Sequence, residues 1–385
     1  MWKHRQIVTG LVSAIATGIA SNAMAASSCP ADCVPPGGNG TVNIDDLLAV
    51  INAFDTTNSA CDHVPDNGDG TFGNGIVNID DVLGTINAFG ACPIVSGDFP
   101  GFWINGGSCA SEPSIQIHAY NDDFYILRQS LCTNFEGPFM YLLFGDDKVL
   151  LQDTGAGGVA IANTVYGIID DWLLANDRAS IELIVTHSHG HGDHVAGNAQ
   201  FSGQPNTTVV GNSQSSVKNF FGITNWPTQI VTYDLGNRII DVIPIPGHQS
   251  AHIALYDRQT GILFTGDTLY PGRLYISDFP TYVQSIQRMV TFTEELPVCW
   301  VLGTHIEMTT TPGVDYNFGA TFHPGEHELQ LTRDHLVELL NGVRDMANAP
   351  FIDARDDFII YPLNPAFSSF GRPVVDGHGV ADSLR

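Results

Sequence analysis

The stretch Thr186-His187-Ser188-His189-Gly190-His191-Gly192-Asp193-His194 constrains this chain more than any other. Imidazoles and a carboxylate packed this densely, spaced by glycine and serine, cannot be buried unless something satisfies their nitrogens and oxygens. Imidazole and carboxylate are ligands that zinc takes, and glycine lets a backbone bend closely round an ion. Just upstream, Ile181-Glu182-Leu183-Ile184-Val185 is apolar and β-branched, which predicts a buried strand running into this loop. His187 and His189 form one His-x-His pair and His189 and His191 another, so the ligand register is open at this point.

Other ligand types stand where further apolar runs end. Gly247-His248 follows Val242 to Ile245, Gly266-Asp267-Thr268 follows Ile262 to Thr265, and Gly303-Thr304-His305 follows Val298 to Leu302. Asp153-Thr154-Gly155 closes the run that starts at Val149. Loops at one edge of a rigid sheet are where sites are built. Strands are also predicted at 115–119, 124–127, 139–144, 208–210, 229–235, 238–245 and 252–256. Helical spacing marks 163–175, 195–201, 215–221, 282–296 and 331–346. Strands grouped with helices at their edges predict two sheets sandwiched between helices.

Charge narrows the partners. With 41 acidic against 15 basic residues the formal charge is -26, which repels nucleic acid and anionic lipid. The first 26 residues read as a cleaved leader: Lys3 and Arg5 at the start, an apolar core from Ile7 to Ala20, and Ala23-Met24-Ala25 as the cleavage signal, with the cut near Ala25. That apolar core is too short for a permanent membrane span. Secretion or delivery to a periplasm is therefore expected, where disulfides persist. Cys29, Cys33, Cys61 and Cys92 are an even set with three connectivities open, Cys109 and Cys132 are a further candidate pair, and Cys299 reads as a buried free thiol.

Residues 27–96 form a separate acidic segment without a single lysine or arginine. Val42-Asn43-Ile44-Asp45-Asp46-Leu47-Leu48 recurs 35 residues later as Val77-Asn78-Ile79-Asp80-Asp81-Val82-Leu83, so one supersecondary unit is used twice. Ile44, Leu47, Leu48, Ile51 and Phe54 fall at the spacing of one helix face, expected to be the buried one. Asp- and Asn-rich loops entering acidic helices suit Ca²⁺, and the segment resembles the duplicated loops of dockerin modules. That resemblance implies calcium at Asn39, Asn43 and Asp46, and again at Asn74, Asn78 and Asp81, with a cohesin-like or cell-surface protein as partner. The early ligand positions depart from the pattern, since Pro35 and Gly37 stand there. The turn-rich joint at 94–101 separates this module from a large domain, placed at 97–385.

Taken in order, His189-x-His191-x-Asp193-His194, Gly247-His248, Thr265-Gly266-Asp267-Thr268 and Gly303-Thr304-His305 resemble the motif set of the metallo-β-lactamase superfamily, with Asp153-Thr154-Gly155 as its early turn. The resemblance implies a mixed α/β fold, a four-layer αββα sandwich with two zinc ions at one edge. It implies His189, His191 and His248 on one ion, Asp193, His194 and His305 on the other, and Asp267 bridging. Asp153, His187 and His252 become supporting residues, Asp193 a catalytic carboxylate, and Tyr270 a substrate-polarising tyrosine. Zinc lowers the pKa of its water and acts as a Lewis acid, so no serine or cysteine nucleophile is needed.

The reaction expected is hydrolysis of a small ester, lactone or amide-like substrate by a metal-bound hydroxide. The spacings from His248 to Asp267 and from Asp267 to His305, 19 and 38 residues, leave no room for the extra domain of the nucleic-acid-cleaving relatives. Two other classes use the same residues: a mononuclear iron oxidoreductase resembling persulfide dioxygenases, and a non-catalytic calcium-binding scaffold.

Overall fold

The structure, a computed structural model, describes residues 31–33, 41–57, 61–64, 73–88, 90–91, 94–364 and 367–368. The expected leader at 1–26, together with Cys29, Asn39 and Cys92, lies outside the described residues.

In the acidic module, strand β1 (Thr41–Val42) leads into helix α1 (Ile44–Asn52), and helix α2 (Ile79–Asn87) leads into β2 (Gly90–Ala91), which pairs antiparallel with β1. Asn43 and Asn78 are the N-caps, each accepting from the amide of the aspartate two residues on. Asp46 and Asp81 complete capping boxes by accepting from the N-cap amides, which satisfies donors a helix start leaves orphaned. The same carboxylates reach further. Asp46 accepts from Cys33 N at 2.9 Å, and Asp81 accepts from His63 N and Val64 N at 2.8 and 2.9 Å. The Asn74 side chain accepts from Ile76 N. The side chains expected to hold calcium at 43, 46, 74, 78 and 81 thus bind main-chain N–H groups, and the calcium reading gains no support from them.

The packing of these helices corrects a second expectation. Val50, Val77 and the Cys33–Cys61 disulfide form the small core, with Asp46 and Asp81 fully buried beside it. The apolar stripe faces outward instead, with Ile44 56%, Leu48 48% and Ile51 49% exposed. The carboxylates, tied to main chain on the far side of a disulfide, decide which helix face turns inward.

The large domain has the expected four layers. The first sheet orders β3 (Ile115–Asn121), β4 (Phe124–Gln129), β5 (Phe139–Phe144), β6 (Lys148–Gln152), β7 (Glu182–Thr186) and β8 (Thr207–Val209) side by side. Helices α3 (Ile161–Ala175), α4 (Gly192–Val195) and α5 (Gln214–Phe221) interrupt and follow it in the chain. The second sheet orders β9 (Val231–Asp234), β10 (Ile239–Pro244), β11 (Ile253–Asp257), β12 (Ile262–Gly266), β14 (Trp300–Gly303) and β15 (Gln330–Leu331). Between its strands the chain makes β13 (Arg273–Ile276) and α6 (Phe279–Phe292), and after it α7 (Arg333–Asp345), β16 (Phe351–Ala354), β17 (Ile359–Pro362) and β18 (Phe367–Ser368). β13, β17, β16 and β18 form a small third sheet that the sequence reading did not expect.

The two-residue period of a strand sets the layers. Along β5, Phe139, Tyr141 and Leu143 meet Ile240, Val242, Leu255, Phe264 and Leu302 of the second sheet. The alternate residues Met140, Leu142 and Phe144 pack under Val165, Ile169 and Trp172 of α3. The outer face of the second sheet, including Ile243, Ala254, Leu263 and Val301, is covered by Tyr282, Ile286 and Met289 of α6 and Leu336, Leu339 and Val343 of α7. Cys299, expected to be buried, precedes β14 and is a free, exposed thiol. Cys109 and Cys132 are disulfide-bonded as expected.

Strand direction then positions the loops. β6 and β7 are parallel, with Gln152 opposite Thr186, so the loops starting at Asp153 and His187 leave the sheet side by side. β12 and β14 are parallel, with Gly266 opposite Gly303, which sets Asp267 beside Thr304 and His305. β10 runs the same way as β12, because each is antiparallel to β11, so Gly247-His248 emerges at that edge too.

Candidate metal centre and the cavity beside it

Two groups of side chains converge at this edge. In the first, His189 Nε2 lies 2.9 Å from His191 Nδ1, and His248 Nε2 lies 3.2 and 3.0 Å from those two atoms. Asp267 Oδ2 is 3.6 Å from His189 Nε2 and 3.5 Å from His248 Nε2. In the second, Asp193 Oδ2 is 3.0 Å from His194 Nε2 and 3.3 Å from His305 Nε2. Asp267 Oδ1 is 3.4 and 3.3 Å from the same two nitrogens. One carboxylate therefore faces both groups, one oxygen to each.

The far side of four of these imidazoles is fixed, while His191 turns Nδ1 inward. His194 Nδ1 donates to Asp153 Oδ2 at 2.9 Å, and Asp153 also accepts from the amide and hydroxyl of Ser188, both at 2.7 Å. His248 Nδ1 donates to the Tyr275 carbonyl at 2.6 Å, and His305 Nδ1 donates to the Glu136 carbonyl at 2.9 Å. His189 Nδ1 meets Ser188 Oγ at 3.1 Å. These bonds select the tautomer that turns Nε2, lone pair outward, into the group, as metal-ligating histidines require. Thr304 Oγ1 donates to Asp267 Oδ1 and holds the bridging carboxylate in place. Two glycines permit the close approach. A Cβ on Gly266 (φ +52°) would sit 2.5 Å from His252 Nε2, and one on Gly247 (φ +142°) would sit 2.5 Å from the Tyr282 Cα.

Electrostatics divides the groups. Burial, with His194 adding to it, holds His189 well below the usual imidazole range, and burial brings His191 down to about 4. Burial lowers His248 as well, so this group is three neutral imidazoles with available lone pairs. In the second group burial would also keep His194 and His305 neutral. Asp193, Asp267 and, for His194, Asp153 outweigh it and raise both well above the ordinary value. Asp193 and Asp267 are raised by burial but held low by His194 and His305. A cation is the natural replacement for those protons, since metal binding to such a set releases them.

The donor set fits an ion on its own geometry. Candidate atoms of each group lie within 4.8 Å of one another, and His194 Nε2 is fully buried against the carboxylates of Asp193 and Asp267. Among the described residues these are the groups of three or more His, Cys, Asp or Glu close enough for an ion.

The remaining expected residues separate. Asp153 does support His194. His187 belongs to neither group, because its Nε2 pairs with Asn198 Oδ1 at 2.7 Å. His252 lies behind the site, its ring 4.6 Å from that of His189 and its Nε2 unpartnered. Tyr270 lines the cavity: its hydroxyl donates to the Arg273 carbonyl while its ring packs 5.5 Å from that of His305. Ser188, Thr304 and Glu136 were missed. Ser188 and Thr304 at least sit inside the motifs, as small hydroxyl residues adjoining ligand types.

A cavity of about 400 Å³ opens beside the groups, lined by Asp193, His191, His248, Asp267 and His305 on one side and by Phe135, Glu136, Tyr270, Tyr275, Glu307 and Phe318 on the other. Burial pushes the Glu136 carboxyl up to about 7.

With that geometry in hand, comparison with known proteins is decisive at the level of the family. The family profile described as the Metallo-beta-lactamase superfamily matches residues 133–342. The chain belongs to the metallo-beta-lactamase superfamily. Relatives within reach of sequence comparison carry hydrolase names. A hydroxyacylglutathione hydrolase of Rhizobium meliloti is 29% identical over 175 residues, covering 43% of this chain and 66% of that protein. A second, of Chelativorans sp., is 33% identical over 119 residues, covering 30% of this chain and 44% of its own length. A Homo sapiens acyl-coenzyme A thioesterase is 28% identical over 200 residues, covering 43% of this chain and 72% of that one. The chain thus spans between 44% and 72% of these superfamily relatives.

Proposed function

We propose that the protein is an exported, binuclear zinc-dependent hydrolase of a small carboxylic ester, thioester or lactone. The observation that carries this reading is Asp267, which presents one oxygen to three neutral imidazoles and the other to Asp193, His194 and His305. His189, His191 and His248 would hold one zinc, and Asp193, His194 and His305 the second, with Asp267 shared. When bound, zinc supplies a water of lowered pKa and a Lewis acid for the substrate carbonyl oxygen. The protein's own part is to keep the first three imidazoles unprotonated, to hold Asp193 and Asp267 ionised, and to fix the rings of His194, His189, His248 and His305 through Asp153, Ser188, Tyr275 and Glu136. Asp193, a carboxylate of the second group alone, lines the cavity and would be placed to accept a proton from an attacking water.

The named thioester hydrolases among the relatives support acyl transfer to water as the reaction class. Export is part of the proposal. It rests on the leader-like residues 1–26 and on the disulfides Cys33–Cys61 and Cys109–Cys132 among the described residues, a chemistry that persists in oxidising compartments. No helix among the described residues is long and apolar enough to cross a membrane.

Elemental analysis and a substrate panel test the reading together. About two zincs per chain and cleavage of at least one ester, thioester or lactone are expected. Full zinc occupancy with no cleavage across aryl ester, thioester, lactone, β-lactam and phosphodiester substrates would remove it, and one iron per chain would replace it with oxidative chemistry.

A further inference from the structure

We infer that the cavity selects acyl substrates without negative charge that present an aromatic or alkyl group to Phe135 and Phe318. The inference rests on the hydrolase reading only for the bond that is cleaved. Away from the ligand groups, the wall carries the aromatic residues Phe135, Tyr270, Tyr275 and Phe318 and the acidic Glu136 and Glu307, with Asn134 as a neutral polar residue, and among the described residues no lysine or arginine lines it.

The arginine that adjoins this wall, Arg273, is already committed. Arg273 gives Nη2 to Glu307 Oε1 at 2.7 Å, Nη1 to Asp315 Oδ2 at 2.6 Å and Nε to the Tyr275 hydroxyl at 3.0 Å. Two carboxylates on one guanidinium leave a net negative charge behind the wall. A substrate carboxylate, sulfonate or phosphate lying there would lose water and meet like charge with no donor fork to receive it, which is the costly way to bury an ion. The surface charge of -26 adds repulsion at long range.

The apolar half of the wall is equally specific. Phe135 and Phe318 meet edge to face, ring centroids 5.3 Å apart. Phe318 is still 48% exposed, so an incoming ring or alkyl chain would cover it. Zinc charge would act at the reacting carbonyl, while the distal group of the substrate reads these two rings and the two carboxyls.

Calorimetric titration of the zinc-loaded full chain with two amides, which resist cleavage and differ at one point, tests this. The probes are N-benzylacetamide and 4-(acetamidomethyl)benzoate. The neutral amide should bind about tenfold more tightly, the equivalent of one uncompensated charge contact. Phe318→Ala should weaken the neutral amide about fivefold with zinc content unchanged. Glu136→Gln, which keeps the main-chain carbonyl that holds His305, should narrow the gap between the two amides. Equal or tighter binding of the benzoate, or no binding of either amide, overturns the inference. Benzyl acetate assayed alongside keeps the two readings apart: selective binding of the neutral amide without ester cleavage removes the hydrolase and leaves the cavity's preference intact.

Discussion

The acidic module and the large domain both carry runs of Asp, Asn or His that spell out cation ligands, yet they use them in opposite ways. In the module, Asp46 and Asp81 point at main-chain amides and are consumed as helix caps and cross-links. In the large domain the main chain and Asp153 take only the far nitrogen of His194, His248 and His305, leaving the near one turned toward its neighbours. A ligand motif acquires an ion site only where the local backbone has not already satisfied it. Both regions offer ligand-type side chains, and hydrogen-bond accounting separates them.

The largest test of this contrast is Asp267→Asn. Removing the shared carboxylate charge should cost about a thousandfold in kcat/KM, because the metals supply several kcal/mol of transition-state stabilisation, and zinc content should fall with it. Asp81→Ala is the mirror experiment. It leaves the amide of His63, which is buried, and those of Val64 and Asn78, which are partly buried, without an acceptor, and at about 1–3 kcal/mol for an unsatisfied buried group the module should lose about 2–4 kcal/mol. Hydrogen exchange of the α2 amides reports that loss, while activity and zinc content stay unchanged. If zinc were lost instead, the division between the regions would be broken.

A smaller effect is expected from Asp153→Ala, which frees His194 to choose its tautomer and releases Ser188, the partner of His189 Nδ1. Zinc affinity or activity should drop about 10–100-fold, measured by competition with a chelator. The smallest effect concerns Glu136 in the chelated protein. Burial raises its carboxyl from 4.5 to about 7, so between those values the folded chain keeps a proton that the unfolded chain has released. Its contribution is therefore fully present below 4.5 and is lost as pH rises through 7. Urea unfolding of wild type and Glu136→Gln across that interval should show wild type losing stability relative to the variant as pH rises. Parallel curves would remove Glu136 as a buried acid.

The sequence carried much of this because its signals are local. Phe139 to Phe144 alternate between two cores, and the small-residue and ligand pairs stand where strands end. What stayed hidden depends on contacts distant in the chain. β13 has only four residues and is completed by β17, from beyond α7. The Tyr270 hydroxyl is aimed by a turn in which Thr265 Oγ1 bonds the Leu269 carbonyl, so its distance in sequence from Asp267 says nothing of its direction. The outward stripe of α1 reflects Asp46 reaching the amide of Cys33, 13 residues away and itself disulfide-bonded to Cys61. Amphipathic spacing identifies a face but not the side on which the core lies.

The parallel pairs β6–β7 and β12–β14 belong to different sheets, and each ligand group draws residues from both. His189, His191, Asp193 and His194 come from the first sheet, while His248, Asp267 and His305 come from the second. An ion seated between them is a rivet through the laminate as well as a reagent. Its grip depends on how much free metal the surroundings offer, with about 2.7 kcal/mol gained at a hundred times the dissociation constant. A protein riveted in this way carries a melting temperature set partly by its environment, and metal starvation would loosen the seam between its two sheets along with its chemistry.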